Sequence, residues 1–136
     1  MKIEQQIKKK EEELETLKQK LEEQKNKSFI CNELKIEVNP IKEWIKPYNE
    51  IKPPKGWRLI ELWELLFLEK NGYFDKLLGK FKGKYNYILT AQTNWAKENN
   101  KSSGLVVDRD GLLGSYWNSL VDSNSDGRVA FVRDLK

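Results

Sequence analysis

The first 27 residues set the strongest limit on how this chain folds. They contain neither Gly nor Pro, and eight lysines and seven glutamates crowd among Ile, Leu and Gln. Strong helix formers in this arrangement predict a single continuous helix over residues 2–27. Its apolar residues keep a heptad register. With Ile7 at a, Ile3 falls at d, Leu14 at a, Leu17 at d and Leu21 at a, while Lys10 and Gln24 interrupt the d positions. Glu13 then stands at g and Lys18 at the next e, the spacing of an attractive pair between parallel helices. Glu4 with Lys8 and Glu23 with Lys27 add supportive i,i+4 pairs. An isolated helix with so thin a stripe is marginal in water. The stripe therefore predicts self-association, as dimer or trimer, through Ile3, Ile7, Leu14, Leu17 and Leu21; the alternative is that it lies on the rest of the chain.

Residues 28–136 have a different character, for all five Trp, five Tyr and five Phe lie there. A chain of 136 residues has room for one such domain and an appendage, which excludes a multi-domain enzyme. With no His and one Cys, Cys31, there is no Cys/His zinc site, no histidine base and no intrachain disulfide. Cys31 reads as a buried thiol. No phosphate-binding glycine loop is present either, so these residues support binding better than reaction, and the chain reads as a non-enzyme. No run approaches the roughly 18–20 apolar residues of a membrane span, and the charged N-terminus lacks the apolar core of a signal peptide. The expectation is cytoplasmic synthesis without a membrane span. The net charge of +4 is spread almost evenly along the chain and predicts no basic face.

Within the domain, Leu34, Ile36 and Val38 alternate with polar residues and predict a first strand over 29–38. Residues 39–56 carry all four prolines around Trp44 and Tyr48, and read as an extended connection pinned by its aromatics. Between Leu59 and Leu68 only Glu61 and Glu64 are polar apart from Trp63's indole, which predicts a core helix packed on several sides and stopped at Asn71-Gly72. A short helical turn is expected around Leu77 and Leu78, where Lys76, Lys80, Lys82 and Lys84 form the densest basic cluster. Tyr85–Ala91 reads as a strand. Gly104–Asp108 and Leu112–Trp117 flank the turn Asp108-Arg109-Asp110-Gly111 as a hairpin. A closing strand over Val129, Phe131 and Val132 completes a small α+β domain whose first and last strands pair.

Two segments resemble a known group. Pro54-Lys55-Gly56-Trp57-Arg58-Leu59, followed by Glu61-Leu62 and Glu64-Leu65, is similar to the opening of the Lcl-type C-terminal domain. That module belongs to the C-type-lectin-like group with formylglycine-generating enzymes and phage variable proteins. Ser115-Tyr116-Trp117-Asn118-Ser119-Leu120, then Asp126-Gly127-Arg128-Val129-Ala130-Phe131-Val132-Arg133, resembles the group's aromatic segment and terminal strand. Ile60-Glu61 stand where the Lcl-type pattern commonly has Pro-Thr, and one cysteine cannot supply the metal-binding pair of the formylglycine-generating enzymes. The resemblance implies a C-type-lectin-like domain, residues 28–136, on an N-terminal coiled-coil helix, residues 1–27. It also implies a loop-rich surface that binds a glycan or protein at a receptor or cell surface, in a viral or phage attachment setting.

The polar stretch 92–103 surrounds one tryptophan, so Asn94 and Trp95, with Tyr116, Trp117 and Asn118, are the candidate ligand-binding residues. Trp95 could instead plug the core, and alternation would turn one of Tyr116 and Trp117 inward. Asp122, Asn124 and Asp126 match the start of a calcium loop, but Arg133 stands where the bidentate acid is required. A turn explains the same residues, and no other cofactor is expected. Two further readings remain: an assembly protein whose aromatic surface packs on another subunit, and nucleic-acid binding by the lysine cluster.

Overall fold

The two compositions produce two kinds of structure. A computed structural model describes residues 2–25, 27–109, 111 and 113–135, except the side chains of 21–25 and 113. Helix α1 (Ile3–Lys25) is continuous, as its composition requires. Ile3, Ile7, Leu14 and Leu17 are all exposed along it. The stripe is therefore not laid on the domain, although α1 approaches Gly79–Phe81. The side chain of Leu21 lies outside the described residues, as do Asp110 and Leu112 of the expected hairpin.

The domain proper is mixed α+β. In chain order it contains β1 (Phe29–Cys31), β2 (Ile36–Val38), β3 (Lys42–Glu43), β4 (Arg58–Leu59), α2 (Leu62–Lys70), α3 (Phe74–Leu78), β5 (Asn86–Thr90), α4 (Asn94–Glu98), β6 (Ser103–Val107), β7 (Leu113–Tyr116), β8 (Gly127–Val129) and β9 (Phe131–Asp134). Short 3-10 turns cover Tyr48–Glu50 and Gly79–Phe81. One sheet has the order β1-β2-β9-β4, all antiparallel, and the other β3-β8-β5-β6-β7, with β5 and β8 parallel.

Several expectations hold. β2 pairs with β9, which brings the start and end of the domain together, and β6 and β7 form the expected hairpin. Cys31 is buried as a free thiol. Trp44 and Tyr48 pack against a core cluster, anchoring the proline-rich connection.

Others need correction. The single strand over 29–38 is a hairpin: Asn32–Lys35 turn the chain, with Lys35 at φ 53°, and half-buried Leu34 packs on the core from the turn. Arg58 and Leu59 join β9, so the helix starts later, at Leu62. It is not packed all round, because Trp63 and Leu66 face outward. The closing strand is two strands, which change sheets at Ala130.

That last segment explains the division of the interior. Val129 and Phe131 join Tyr87 and Leu89 in one cluster, while Ala130 and Val132 join Ile36, Val38, Leu65, Leu77 and Ile88 in the other. A strand buried on both faces has apolar residues at consecutive positions, which is why Val129–Val132 shows no alternation with polar residues. β5 is likewise buried at every position. At Gly127 a Cβ would sit 2.2 Å from the carbonyl oxygen of Trp44, so only glycine admits the close approach that lets Trp44 N–H donate to Gly127 O at 2.9 Å.

Charged groups tie the sheet to the helix. Both Nη atoms of Arg58 donate to the buried carboxylate of Glu64, at 2.7 and 2.8 Å, and Nη2 also donates to Asp134 at 3.0 Å. Glu64 Oε1 also accepts the Glu61 N–H at 2.9 Å and so holds the first turn of α2. Hydrogen bonding to Arg58 holds the Asp134 carboxyl below its usual range. Glu37 is lowered too, by the Ser28 hydroxyl and by Arg133.

Candidate functional site

The stretch 92–103 is not all loop. Thr93 accepts the Ala96 N–H at 3.2 Å through its hydroxyl, the N-cap that starts α4 at Asn94. Asn99 ends the helix by bonding back to Trp95 O with its backbone and side-chain N–H groups. This single turn carries Trp95 toward the end of β7. Register then brings Trp117 beside it. The two rings lie 5.4 Å apart between centroids, inclined at 48°.

Neither expected extreme applies to the aromatics. Trp95 is 48% exposed and does not plug the core, and Tyr116 and Trp117 are both half-exposed, at 50% and 52%. The reason is that β7 is an edge strand, next to β6 alone. Tyr116 sets its ring edge-on to buried Tyr87, 5.3 Å away, while Trp117 turns to Trp95. Opposite Tyr116 on β6 stands Gly104, where a Cβ would meet the Tyr87 ring at 2.8 Å.

Trp95, Tyr116 and Trp117 line a shallow cleft of about 180 Å³ together with Leu62, Thr93, Ser103, Gly104 and Ser115. Its lining combines aromatic rings with three hydroxyl-bearing residues, Thr93, Ser103 and Ser115. Ser103 Oγ accepts the Thr93 N–H at 3.1 Å, which ties β6 to the start of α4. Lys101 Nζ lies 5.1 Å from the Trp117 ring centroid and adds positive charge beside the cleft. Thr93, Lys101 and Ser103 fall in the polar stretch 92–103 and Ser115 in the aromatic segment 115–120 without being singled out there, and Leu62 reads from sequence as core helix. Thr93 alone had a legible signal, as a cap residue before Asn94-Trp95-Ala96.

Asn94 is exposed on α4 next to Trp95. Asn118 is committed to structure: its N–H donates to Ser102 Oγ, its carbonyl accepts the Ser102 N–H, and its Oδ1 accepts the Ser119 N–H, each at 2.9 Å. Buried Tyr87, under Tyr116, belongs to a core cluster against which half-buried Tyr48 packs. Tyr48 donates to Thr90 O, and partial burial pushes its pKa up to about 12. Burial raises Tyr87 as well, and its hydroxyl is enclosed without a hydrogen-bond partner.

The Asp122–Gly127 segment is built as a turn. Asn124 Oδ1 accepts the Asp126 N–H at 2.7 Å, and Asp126 O accepts the Tyr87 N–H at 2.9 Å. Among the described residues no group of three or more acidic, His or Cys side chains is placed to hold a metal ion. No helix among them is long and apolar enough to cross a membrane. No family model matches the chain, and neither does any characterised protein or solved structure.

Proposed function

We propose that this chain is a non-enzymatic recognition protein. In this reading a C-type-lectin-like head, residues 28–136, sits on a parallel coiled coil of residues 1–27 and binds a glycan or protein surface multivalently, as an attachment component of a virus or phage would. The observation that carries it is the half-exposed Trp95–Trp117 pair at the cleft it lines with Thr93, Ser103 and Ser115. Exposed indole faces beside hydroxyls suit a ligand with one apolar face and a polar edge. The pairing of β2 with β9 and the two-sheet core support the lectin-like architecture. The exposed Ile and Leu stripe of α1 supports self-association, since such a stripe gains stability only against a partner. Weak single sites on one stalk then gain avidity.

The test joins mass and binding. Light scattering on the full chain should give a dimer or trimer, and a chain beginning at Ser28 should be a monomer. On glycan and protein arrays the full chain should bind, and a Trp95→Ala/Trp117→Ala variant that still melts cooperatively should not. Monomeric behaviour of the full chain, or binding undiminished in the variant, would overturn the reading. A second reading, assembly with another subunit, is favoured by the outward face of α2, where Trp63 is 56% exposed beside Leu66. It predicts a mass that truncation at Ser28 leaves unchanged.

A further inference from the structure

Among the described residues one buried charge lacks a counter-charge. Arg128, on β8, is only 6% exposed. Its Nε donates to Asn86 Oδ1 and its Nη1 to Gly127 O, both at 2.9 Å. Both acceptors are neutral. The ion pairs among the described residues are Arg58–Glu64, Arg58–Asp134, Lys82–Asp75 and Arg133–Glu37, and none involves Arg128. Glu43 stands across from Arg128 in the register of β3 with β8, yet it is exposed and makes no ion pair with it. A buried charge without a counter-charge is costly, and such groups are normally paired.

Two more cations approach the ring on which Arg128 lies. The guanidinium carbon of Arg128 lies 4.2 Å from the centroid of the Phe81 ring, and Lys80 Nζ and Lys84 Nζ lie 5.3 and 5.9 Å from the same centroid. Lys82, between them in sequence, turns away to Asp75. The outer edge of Arg128 is not sealed. Among the described residues the fully enclosed side-chain polar atom without a partner is Tyr87 Oη and not Arg128 Nη2, so that unpaired Nη2 keeps access to solvent. A planar guanidinium with free N–H groups, sharing one ring with two flexible ammonium groups, suits a tetrahedral oxyanion.

We infer that Arg128, Lys80 and Lys84 form a binding site for a phosphate- or sulfate-class oxyanion, distinct from the Trp95–Trp117 cleft. Asn86 positions the guanidinium, and its own Nδ2 is held by Phe81 O and Lys84 O at 3.0 and 3.1 Å. The anion supplies the charge that Arg128 lacks, while the two lysines close over it.

Titration calorimetry on the full chain tests this, with inorganic phosphate, sulfate and phenyl phosphate as probes and chloride holding ionic strength constant. Saturable binding of phosphate or sulfate is expected, with at least a tenfold loss in a Lys80→Gln/Lys84→Gln variant. A Lys76→Gln/Lys82→Gln variant removes the same net charge and should bind within twofold of the parent. Tighter binding of phenyl phosphate than of phosphate would identify the ligand as an ester group on a larger molecule, and equal binding as the free ion. Absence of saturable heat, or equal weakening in the two double variants, overturns the site. The lysines are exposed, so the test does not depend on whether an Arg128 variant folds.

Discussion

Helix α1 and the two-sheet domain solve the problem of apolar burial in opposite ways. The domain encloses its own apolar residues: Leu65, Ile88, Val129 and Val132 are fully buried. Among the described residues the helix encloses none of its stripe, and Ile3, Ile7, Leu14 and Leu17 face outward. The same residue type therefore does different work in the two regions. Leucine in α2 stabilises a single chain, whereas leucine in α1 has value only when another surface arrives.

That contrast can be broken most forcefully at Leu65. Its replacement by Ala should cost the domain about 3 kcal/mol, in the range for large-to-small changes at fully buried sites, as read from chemical denaturation. The same exchange at Leu14 should leave the melting of the domain unchanged. Replacing Leu14 and Leu17 together by Asp should reduce the full chain to a monomer by sedimentation; an unchanged mass would place the contact elsewhere.

The contrast sharpens at the cleft, where half-exposed aromatics belong neither to the buried core nor to the α1 stripe. Trp117→Ala should lower ligand affinity about tenfold or more, as removal of an interface aromatic anchor does, while shifting stability by less than about 1 kcal/mol. Both effects are measurable on one sample by calorimetry and melting. The smallest effect concerns pH. Glu37 and Asp134 are both held below the ordinary carboxylate range by their partners. Each contributes stability above its unfolded pKa of about 4 and loses it as pH falls through the lower folded value. Glu37→Gln/Asp134→Asn should thus flatten the decline in Tm between about pH 4 and pH 2; since both groups are near the surface, the difference is small.

How far the sequence revealed this fold depended on whether a signal was local. The helix formers of α1 act on their neighbours, and the helix lies where they put it. The Asp108–Gly111 turn between two apolar runs likewise produced its hairpin. The turn at Asn32–Lys35 was hidden because it lacks Gly or Pro and because Leu34 continues the strand-like alternation through it. Trp63 looked like core because hydrophobicity alone does not tell an inward indole from an outward one. At the cleft, Trp95, Tyr116 and Trp117 were legible as aromatics in polar company. Ser103 and Ser115 were not, because their place beside the cleft arises from the pairing of β6 with β5 and of β7 with β6.

The segment Gly127–Asp134 places β8 between β3 and β5 in one sheet and β9 between β2 and β4 in the other. Both sheets therefore wait for the same eight residues. During synthesis, which proceeds from the N-terminus at about 5–20 residues per second, α1 emerges long before either sheet can close. Neither sheet is complete without this segment, so folding of this domain finishes only once Gly127–Asp134 is available to both.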